Sequence, residues 1–407
     1  MNRILSTFRS LKYKNFRLFF PGLIASQIGL WIQNIAMGWL VYNMTKSPFM
    51  MGTIMFFNAI PLFFVTPFAG VIIDKFSRHK LLIIIQILFA VQSLLLAILT
   101  LSGLIRIWNI ILLGIMLNAI AAIDIPLRQS MFVFLVDDKK DLGNAISLNS
   151  TCFNLARLAG PAIGGILIAA TGEGMCFLIN FLCFLPSVIL VSFMKINEQK
   201  SEHVKEETLL EGLKEGIEYV KSDIRIILIL IFLSLFCFLG MTYPMLMPIY
   251  TKDVFNANAD TLGFLMAAAG IGALISSLLI ASKNTIRGLK YIECIGGIVF
   301  SISFILLGFS NNIKLSIIFM FFLGLGMTAC ITSVNTLIQS IIDNEKRGRV
   351  MSIHAICYLG TTSISSFCAG TVAEHIGIKN TLIILGLILL AASLYFLYRF
   401  SKLQFNK

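Results

Sequence analysis

Twelve long apolar stretches dominate this sequence of 407 residues. Each is long enough to cross the hydrocarbon core of a bilayer as a helix, which takes about 20 apolar residues. Only 13% of the residues are charged, against about 25% in a soluble domain, so the sequence predicts an all-α membrane protein. The predicted spans are 18–43, 48–73, 80–102, 107–135, 143–171, 174–194, 225–250, 258–282, 288–309, 314–341, 348–374 and 378–399.

The lysines and arginines are unevenly distributed between the loops. If both termini lie in the cytoplasm, the inside segments hold 25 of the 32 Lys and Arg residues and the outside loops hold five. Cytoplasmic loops of membrane proteins are enriched in these residues. We therefore predict that both termini are cytoplasmic. The net charge of +12 is explained by this topology and does not indicate a nucleic-acid partner.

The longest polar stretch lies near the middle of the chain, at 195–224. Apolar residues recur at helical spacing over 209–220, which predicts an amphipathic helix on the cytoplasmic membrane surface. We predict that this linker joins two six-helix bundles. The predicted parts are an interfacial segment at 1–17, a bundle at 18–194, the linker at 195–224, a second bundle at 225–399 and a cytoplasmic tail at 400–407.

The two halves carry a short internal repeat. Gly165 and Gly172 on span five match Gly370 and Gly377 on span eleven, 205 residues later. Repeats in the same sense predict two pseudo-symmetric bundles related by an axis along the membrane normal, with the substrate site between them. Each bundle then supplies the partner surface of the other, so we expect a monomer.

Three residues, Asp124, Arg128 and Arg157, are the only ionisable residues that we place well inside the predicted spans. A charge at bilayer depth is costly, so it is usually paired or faces a water-filled cavity. Asp124 and Arg128 are four residues apart and share one helix face, while Arg157 falls near the membrane midplane. Asp124 can therefore pair with either arginine. Three roles stay open for it: a part of a cytoplasmic latch, a proton carrier, or a member of a static pair.

Other polar residues fall inside the predicted spans and are candidates for the wall of a substrate cavity, because such residues usually face the bundle interior. Interhelical hydrogen bonding is the alternative explanation for each of them. His354 is a second proton-coupling candidate beside Asp124, because an unperturbed histidine titrates near neutral pH. The cavity candidates are Gln27, Trp31, Asn34, Asn58, Arg157, Tyr243, Asn335, Gln339 and Tyr358.

The loop between spans two and three contains Gly70-Val-Ile-Ile-Asp74-Lys75-Phe-Ser77-Arg78-His79-Lys80. It resembles motif A of the major facilitator superfamily, from which it departs at Lys75, Ser77 and His79. The resemblance implies a cytoplasmic latch, in which Gly70 permits a close helix contact and Asp74 meets a helix N-terminus or an arginine of the other half. A charged loop that only fixes the topology is the alternative. The predicted latch residues are Gly70, Asp74, Arg78, Lys80, Asp124 and Arg128.

Further segments are similar to the bacterial efflux branch of this superfamily, which includes the enterobactin exporter and macrolide efflux proteins. They include 28–33, 38–42, 124–129 and 156–165. The resemblance implies a proton-driven exporter of a bulky siderophore or drug-like molecule in the bacterial inner membrane. A proton-coupled importer of a nutrient or lipid is the alternative. We expect no cofactor, no metal site and no enzyme activity, because neither a P-loop nor a nucleophile elbow nor metal-ligand spacing is present.

Overall fold

The computed structural model describes residues 8–196, 209–282, 288–343 and 346–403. All regular structure in these ranges is helical and none of it is β-strand, which confirms the predicted all-α class. Short 3₁₀ turns occupy Arg9–Lys12 and Lys139–Asp141. The α-helices are α1 (Lys14–Thr45), α2 (Pro48–Lys75), α3 (Arg78–Leu101), α4 (Ile107–Leu135), α5 (Leu142–Thr171), α6 (Glu173–Ser192), α7 (Leu209–Ser222), α8 (Ile224–Gly240), α9 (Tyr243–Phe255), α10 (Ala259–Ala281), α11 (Leu289–Phe309), α12 (Ile313–Ile341), α13 (Arg347–Ala355), α14 (Thr361–Ile376) and α15 (Ile378–Ser401).

Twelve helical segments in the described ranges are long and apolar enough to cross a membrane, as predicted. Two of them are interrupted, although the sequence predicted continuous helices. In span seven, α8 and α9 are separated by Met241 and Thr242, because Pro244 in the first turn of α9 has no N–H and its ring excludes the preceding helical turn. In span eleven, a π turn at Ile356–Gly360 separates α13 from α14. Such turns are often found at functional sites.

The chain divides into two compact units. The first comprises Met1–Met44 and Phe57–Val204, and the second comprises Thr45–Phe56 and Lys205–Lys407. The beginning of α2 is therefore grouped with the second unit, and the rest of α2 with the first. Each unit has its own set of close helix crossings.

Close packing in the first unit depends on small residues at helix crossings. A Cβ atom built on Gly160 of α5 would lie only 2.3 Å from Cβ of Trp31 on α1. Larger side chains fill the remaining space, and the rings of Phe89 on α3 and Phe184 on α6 stack with their centroids 5.2 Å apart. In membranes, van der Waals packing of this kind replaces the hydrophobic driving force between helices.

The second unit packs two of its helices backbone to backbone. A Cβ built on Gly324 of α12 would lie 1.9 Å from the carbonyl oxygen of Ala269 on α10.

The beginning of α2 is fixed to α14 by Glu374, whose carboxylate accepts from Ser47 Oγ at 2.8 Å and from the Phe49 N–H at 3.1 Å. A carboxylate at a helix N-terminus satisfies an otherwise unpaired backbone donor and complements the helix dipole.

The internal repeat is visible in the backbone. Gly172 ends α5 and Gly377 ends α14, both with positive φ, at 83° and 79°. In each case the next helix begins at the following residue, so the glycine is the whole connection. A residue with a Cβ is strained in this conformation. The two matched glycines therefore make the same sharp joint in the two halves.

Two segments outside the spans dock onto the bundles. The stretch predicted to be an amphipathic helix forms α7, and Tyr219 on its second half donates its hydroxyl to Asp343 Oδ2 at 3.1 Å. The described part of the predicted N-terminal segment begins with a 3₁₀ turn, in which Ser10 is buried and donates to Asn144 Oδ1 at 2.8 Å. Residues 1–7, 197–208 and 404–407 of the predicted segments lie outside the described residues.

Candidate functional site

A buried ion pair lies on α4 in the first unit. Arg128 Nε donates to Asp124 Oδ2 at 2.6 Å across one helical turn. Only 5% of Asp124 and 7% of Arg128 is exposed. At ~1.5 Å per residue, Asp124 lies roughly 16 Å from the end of α4, so the pair is deep within the span. Of the two possible arginine partners predicted for Asp124, the structure pairs it with Arg128.

Side chains from two neighbouring helices complete this cluster. Gln86 on α3 donates Nε2 to Asp124 Oδ1 at 3.4 Å, and Ser187 on α6 donates Oγ to Gln86 Oε1 at 3.1 Å. One nitrogen of the guanidinium, Arg128 Nη2, is buried without a hydrogen-bond partner among the described residues. Asp124 thus accepts hydrogen bonds at both oxygens. Arg128, in contrast, has one nitrogen, Nη2, without an acceptor among the described residues.

A second buried polar cluster lies in the same unit and contains no charge. Asn180 on α6 donates Nδ2 to Gln33 Oε1 on α1 at 2.7 Å, and Gln33 donates Nε2 to Gln92 Oε1 on α3 at 3.2 Å. Gln92 donates in turn to the Leu113 carbonyl of α4 at 3.2 Å. These amides join four helices. Sequence analysis missed them as a set, since each is one isolated polar residue in an apolar span.

The loop that resembles motif A places two of its charges together. Arg78 Nη2 lies 3.1 Å from Asp74 Oδ1, and the Arg78 guanidinium stands over the ring of Phe134 at 5.5 Å. Ser77 caps α3 by accepting from the Lys80 N–H at 3.5 Å. Asp74 is largely exposed, so its pair with Arg78 is a surface pair. The charged latch candidates thus include two local pairs, Asp74 with Arg78 and Asp124 with Arg128.

The close helix contact predicted at Gly70 is not formed among the described residues in this conformation. A Cβ atom built there would meet no described atom within 4 Å, and the residue is exposed. The participation of Gly70, Asp74, Arg78 and Lys80 in a latch stays a prediction.

The cavity candidates of the first unit differ in burial. Gln27 and Trp31 on α1 are half-buried and Asn34 is exposed, while Arg157 on α5 is half-buried. Asn58 on α2 lies against α4, since a Cβ atom built on Gly114 would lie 2.3 Å from Asn58 Oδ1. Asn58 therefore fills a helix contact. A substrate-binding role for these side chains stays a prediction.

The cavity candidates of the second unit lie beside its two helix interruptions or on α12. Tyr243 is buried at the break between α8 and α9, edge-on to Phe300 with centroids 6.4 Å apart. Gln339 donates to Asn335 at 3.0 Å along α12. These three residues remain cavity candidates by prediction only.

Span eleven carries His354 and Tyr358, and Cys357 and Thr361 of the same span line an apolar groove. His354 is half-buried at the end of α13, and its Nε2 has no hydrogen-bond partner among the described residues; Tyr358 lies in the π turn. A groove of about 430 Å³ opens beside this turn, between α8 and the start of α14. It is lined by Val220, Ile227, Leu230, Ile231, Ser234, Leu235, Phe238, Cys357 and Thr361.

The structure adds a buried acid that the sequence analysis did not single out, near the start of predicted span nine. Glu293 on α11 is completely buried. Neither of its carboxylate oxygens has a hydrogen-bond partner among the described residues. The sequence contained the signal, since an acid stands one turn inside predicted span nine. Acids at that depth often reach the membrane surface, so only the packing reveals that this one does not.

Two clusters of charges outside the spans hold the surface segments in place. In the first unit, Asp141 pairs with Arg9 Nε at 2.5 Å and Lys12 Nζ at 2.7 Å. The hydrogen bonds from Lys12 and then Tyr13 hold the pKa of the Asp141 carboxyl below its ordinary value, and Asp141 holds the pKa of Lys12 above its own. These partners tie the N-terminal turn to the start of α5.

The corresponding contact of the second unit joins α7 to α13. Glu215 pairs with Lys346 Nζ at 3.0 Å and also with Arg349. The hydrogen bond from Lys346 lowers the pKa of the Glu215 carboxyl, and the charge of Arg349 lowers it further. The amphipathic helix is therefore attached by charge as well as by its apolar face.

Comparison with known families identifies the scaffold that carries these clusters. A profile of the major facilitator family described as transmembrane secretion effector matches residues 5–406. The chain belongs to this family. As a transmembrane secretion effector it is a membrane transporter and not an enzyme, which confirms both predictions.

Two relatives of this chain match it over nearly the whole length. A protein of Staphylococcus aureus described as a staphyloferrin A transporter is 27% identical over 96% of this chain and 98% of its own. A protein of Mycolicibacterium fortuitum described as the multidrug efflux pump Tap is 23% identical over 91% of this chain and 92% of its own. The predicted resemblance to a siderophore and drug efflux branch is thereby confirmed.

Solved structures confirm the fold of the chain. A crystal structure of a POT family transporter in complex with 5-aminolevulinic acid superposes with a TM-score of 0.75, covering 97% of both chains at 13% identity. At that identity the match carries information about the fold alone. The predicted major facilitator fold is therefore correct.

Proposed function

We propose that this protein is a proton-coupled exporter of a bulky small molecule, of the siderophore or drug-like class, across the bacterial inner membrane. The direction of transport is supported by the family description and by the relatives, which are described as a staphyloferrin A transporter and a multidrug efflux pump. We further propose that it works as a monomer, with both termini in the cytoplasm and with alternating access to the two sides of the membrane.

The observation that carries proton coupling is the buried pair of Asp124 and Arg128. Desolvation makes each buried charge costly on its own, so removing either partner of the pair has a large effect. Protonation of Asp124 would remove its negative charge and break the pair with Arg128. A proton-dependent change of this pairing on α4 is a physical means of coupling proton movement to the conformational change of transport.

Arg157 is the proposed first contact for an anionic or catecholate-like substrate. It is half-buried on α5, the helix that crosses α1 at Gly160 and Trp31. A guanidinium presents several donors in a fixed plane, which suits bidentate recognition of carboxylates and similar oxygen pairs. Drug-like substrates without such groups would depend instead on apolar contacts.

The test is substrate-dependent proton flux in proteoliposomes that contain the purified full chain and a trapped pH-sensitive dye. The probes are staphyloferrin A and a macrolide, added under an imposed pH gradient. The parent protein is expected to move protons only when a transported probe is present. Asp124→Asn is expected to abolish this flux while the probe still binds.

Two variants control the experiment. Asp124→Glu keeps the charge and should retain part of the flux, which separates coupling from loss of structure. Glu215→Gln alters a surface pair on α7 and should behave as the parent does. Full flux in Asp124→Asn would remove Asp124 from the coupling path. Accumulation of a probe in the same direction as the protons would show an importer instead.

A further inference from the structure

The second unit contains a carboxyl group that the proposed coupling at Asp124 does not use. Glu293 is the fifth residue of α11, about 6 Å from the helix start at ~1.5 Å per residue. It is 0% exposed. Because a lone ionised carboxylate in an apolar interior is very costly, the group remains there only if it is neutral or gains a partner.

The surroundings supply no cation to Glu293 among the described residues. Lys290, one turn earlier on the same helix, donates Nζ to the carbonyl oxygens of Phe400 at 2.9 Å and Leu403 at 2.7 Å. Arg225 on α8, a helix that packs against α11, is engaged with Asp223 at 2.6 Å. Both of these basic residues are therefore held by other groups.

Among the described residues, the titratable groups that interact electrostatically with Glu293 are thiols. Cys294 is its neighbour on α11, and Cys330 on α12 interacts with Glu293, Cys294 and Cys237 of α8. No three or more His, Cys, Asp or Glu side chains of the described residues are placed so that they could hold a metal ion. A metal site is therefore not the explanation for this carboxyl group.

Close packing leaves little room for the side chain to turn away. A Cβ atom built on Gly296 of α11 would lie 2.7 Å from both the Cys330 N–H nitrogen and the Gly326 carbonyl oxygen of α12. One residue further, a Cβ atom on Gly297 would lie 2.6 Å from Ser393 Oγ on α15. Glu293 thus lies one turn before a close crossing of three helices, and separation of these helices would admit water to it.

We propose that Glu293 is a proton-binding site of the second unit, which holds a proton in this packed conformation and releases it when α11 and α12 separate. Burial favours the neutral acid and hydration favours the carboxylate and a free proton. The helix crossing therefore acts as the switch between the two states. The inference rests on the proposed function, since a proton carrier has a role only in proton-coupled transport.

The experiment compares two modes of transport in proteoliposomes, with staphyloferrin A and a macrolide as probes. Exchange of labelled for unlabelled probe needs no net proton movement, whereas accumulation against a gradient does. Glu293→Gln mimics the neutral acid, so we expect it to retain exchange and to lose accumulation driven by the pH gradient. Glu293→Asp, which can still titrate, should regain part of the accumulation.

Other results would overturn the inference. Normal accumulation in Glu293→Gln would show that the carboxyl group is not needed for coupling. Equal loss of exchange and accumulation, without recovery in Glu293→Asp, would show a purely structural role.

If the parent transports neither probe, the proposed function fails for these substrates. Infrared spectroscopy of the purified chain then decides the inference alone. A protonated carboxyl band that disappears in Glu293→Gln and shifts in D₂O supports a proton site. The absence of such a band refutes it.

Discussion

The two units treat a buried carboxyl group in opposite ways. In the first unit, Asp124 accepts from Arg128 and Gln86, so its charge is compensated on both oxygens. In the second unit, Glu293 is equally buried and accepts from no described group. A buried carboxylate needs a cation or donors, and a carboxyl group without them is stable only as the neutral acid. In this conformation the same residue class is therefore a paired carboxylate in one half and, by our proposal, a neutral acid in the other.

The difference teaches that pairing, and not depth alone, sets the chemical state of an acid inside a membrane protein. Repeats in the two halves share backbone features, such as the joints at Gly172 and Gly377. Their buried acids do not occupy equivalent helices, since α4 is the fourth span and α11 the ninth. The two halves therefore share backbone features but place their buried acids on helices that are not equivalent.

The largest expected effect comes from breaking the pair of the first unit. Asp124→Asn leaves the Arg128 charge buried without compensation, which costs about 3–5 kcal/mol in typical cases. We expect a corresponding fall in the free energy of unfolding, measured by denaturation of the purified protein in detergent. The double variant Asp124→Leu with Arg128→Met removes both charges and should recover most of this loss. An unchanged free energy of unfolding in Asp124→Asn would show that the Arg128 charge does not depend on Asp124 for its compensation.

A smaller effect is expected from one hydroxyl group in each unit. Ser187→Ala removes the donor to Gln86 and should lower stability by about 1 kcal/mol. Ser393→Ala is the matched control, because Ser393 Oγ is buried without a hydrogen-bond partner among the described residues. That variant should be neutral or slightly stabilising. Equal losses in the two variants would contradict the difference between a bonded and an unbonded site.

Replacement of the second acid should alter stability less than either change in the first unit. Glu293→Gln exchanges a neutral acid for a neutral amide of similar volume, so we expect a change below about 1 kcal/mol. The same denaturation assay compares it directly with Asp124→Asn. A loss as large as that of Asp124→Asn would mean that Glu293 is ionised and paired.

The smallest effect is local and concerns an acid outside the spans. The lowered pKa of Asp141 means that its contribution to docking of the N-terminal turn is present above its ordinary value and is lost as the pH falls through the lowered one. The raised pKa of Lys12 means that its contribution persists until the pH rises through the raised value. Docking should therefore be constant between about pH 5 and pH 9.

Hydrogen exchange of residues 9–14, followed by mass spectrometry, measures this docking. Asp141→Asn should speed their exchange at neutral pH, while Glu215→Gln, which alters the corresponding contact of the second unit, should not. A change of exchange between about pH 6 and pH 8 that exceeds the intrinsic pH dependence would contradict the assigned charge states.

Hydropathy predicted the twelve spans closely, because lipid imposes one length and one composition on each of them. The pair of Asp124 and Arg128 was also predictable, since both residues lie on one helix. The amide cluster of Gln33, Gln92 and Asn180 was not, because its members come from three different spans. The helix contact predicted at Gly70 is not formed among the described residues. The reason is the same, because one sequence does not specify which neighbouring helix a glycine meets.

The helix interruptions show a similar limit. Pro244 was visible in the sequence, but a proline in a span can kink, break or merely bend the helix. The π turn at Ile356–Gly360 has no sequence signal that we recognised. Glu293 was visible as well, yet its burial depends on the crossing of α11 with α12 and α15. Features set by one helix were predictable, and features set by a partner helix were not.

Infrared spectroscopy of the purified protein at neutral pH tests the central claim most directly, because it separates protonated from ionised carboxyl groups. Parent, Glu293→Gln and Asp124→Asn are compared under identical conditions. We predict that Glu293→Gln removes a protonated carboxyl band and that Asp124→Asn leaves this band intact. Loss of the band in Asp124→Asn, or its persistence in Glu293→Gln, would contradict the proposed states of the two acids in this conformation, a paired carboxylate in the first unit and a protonated acid in the second.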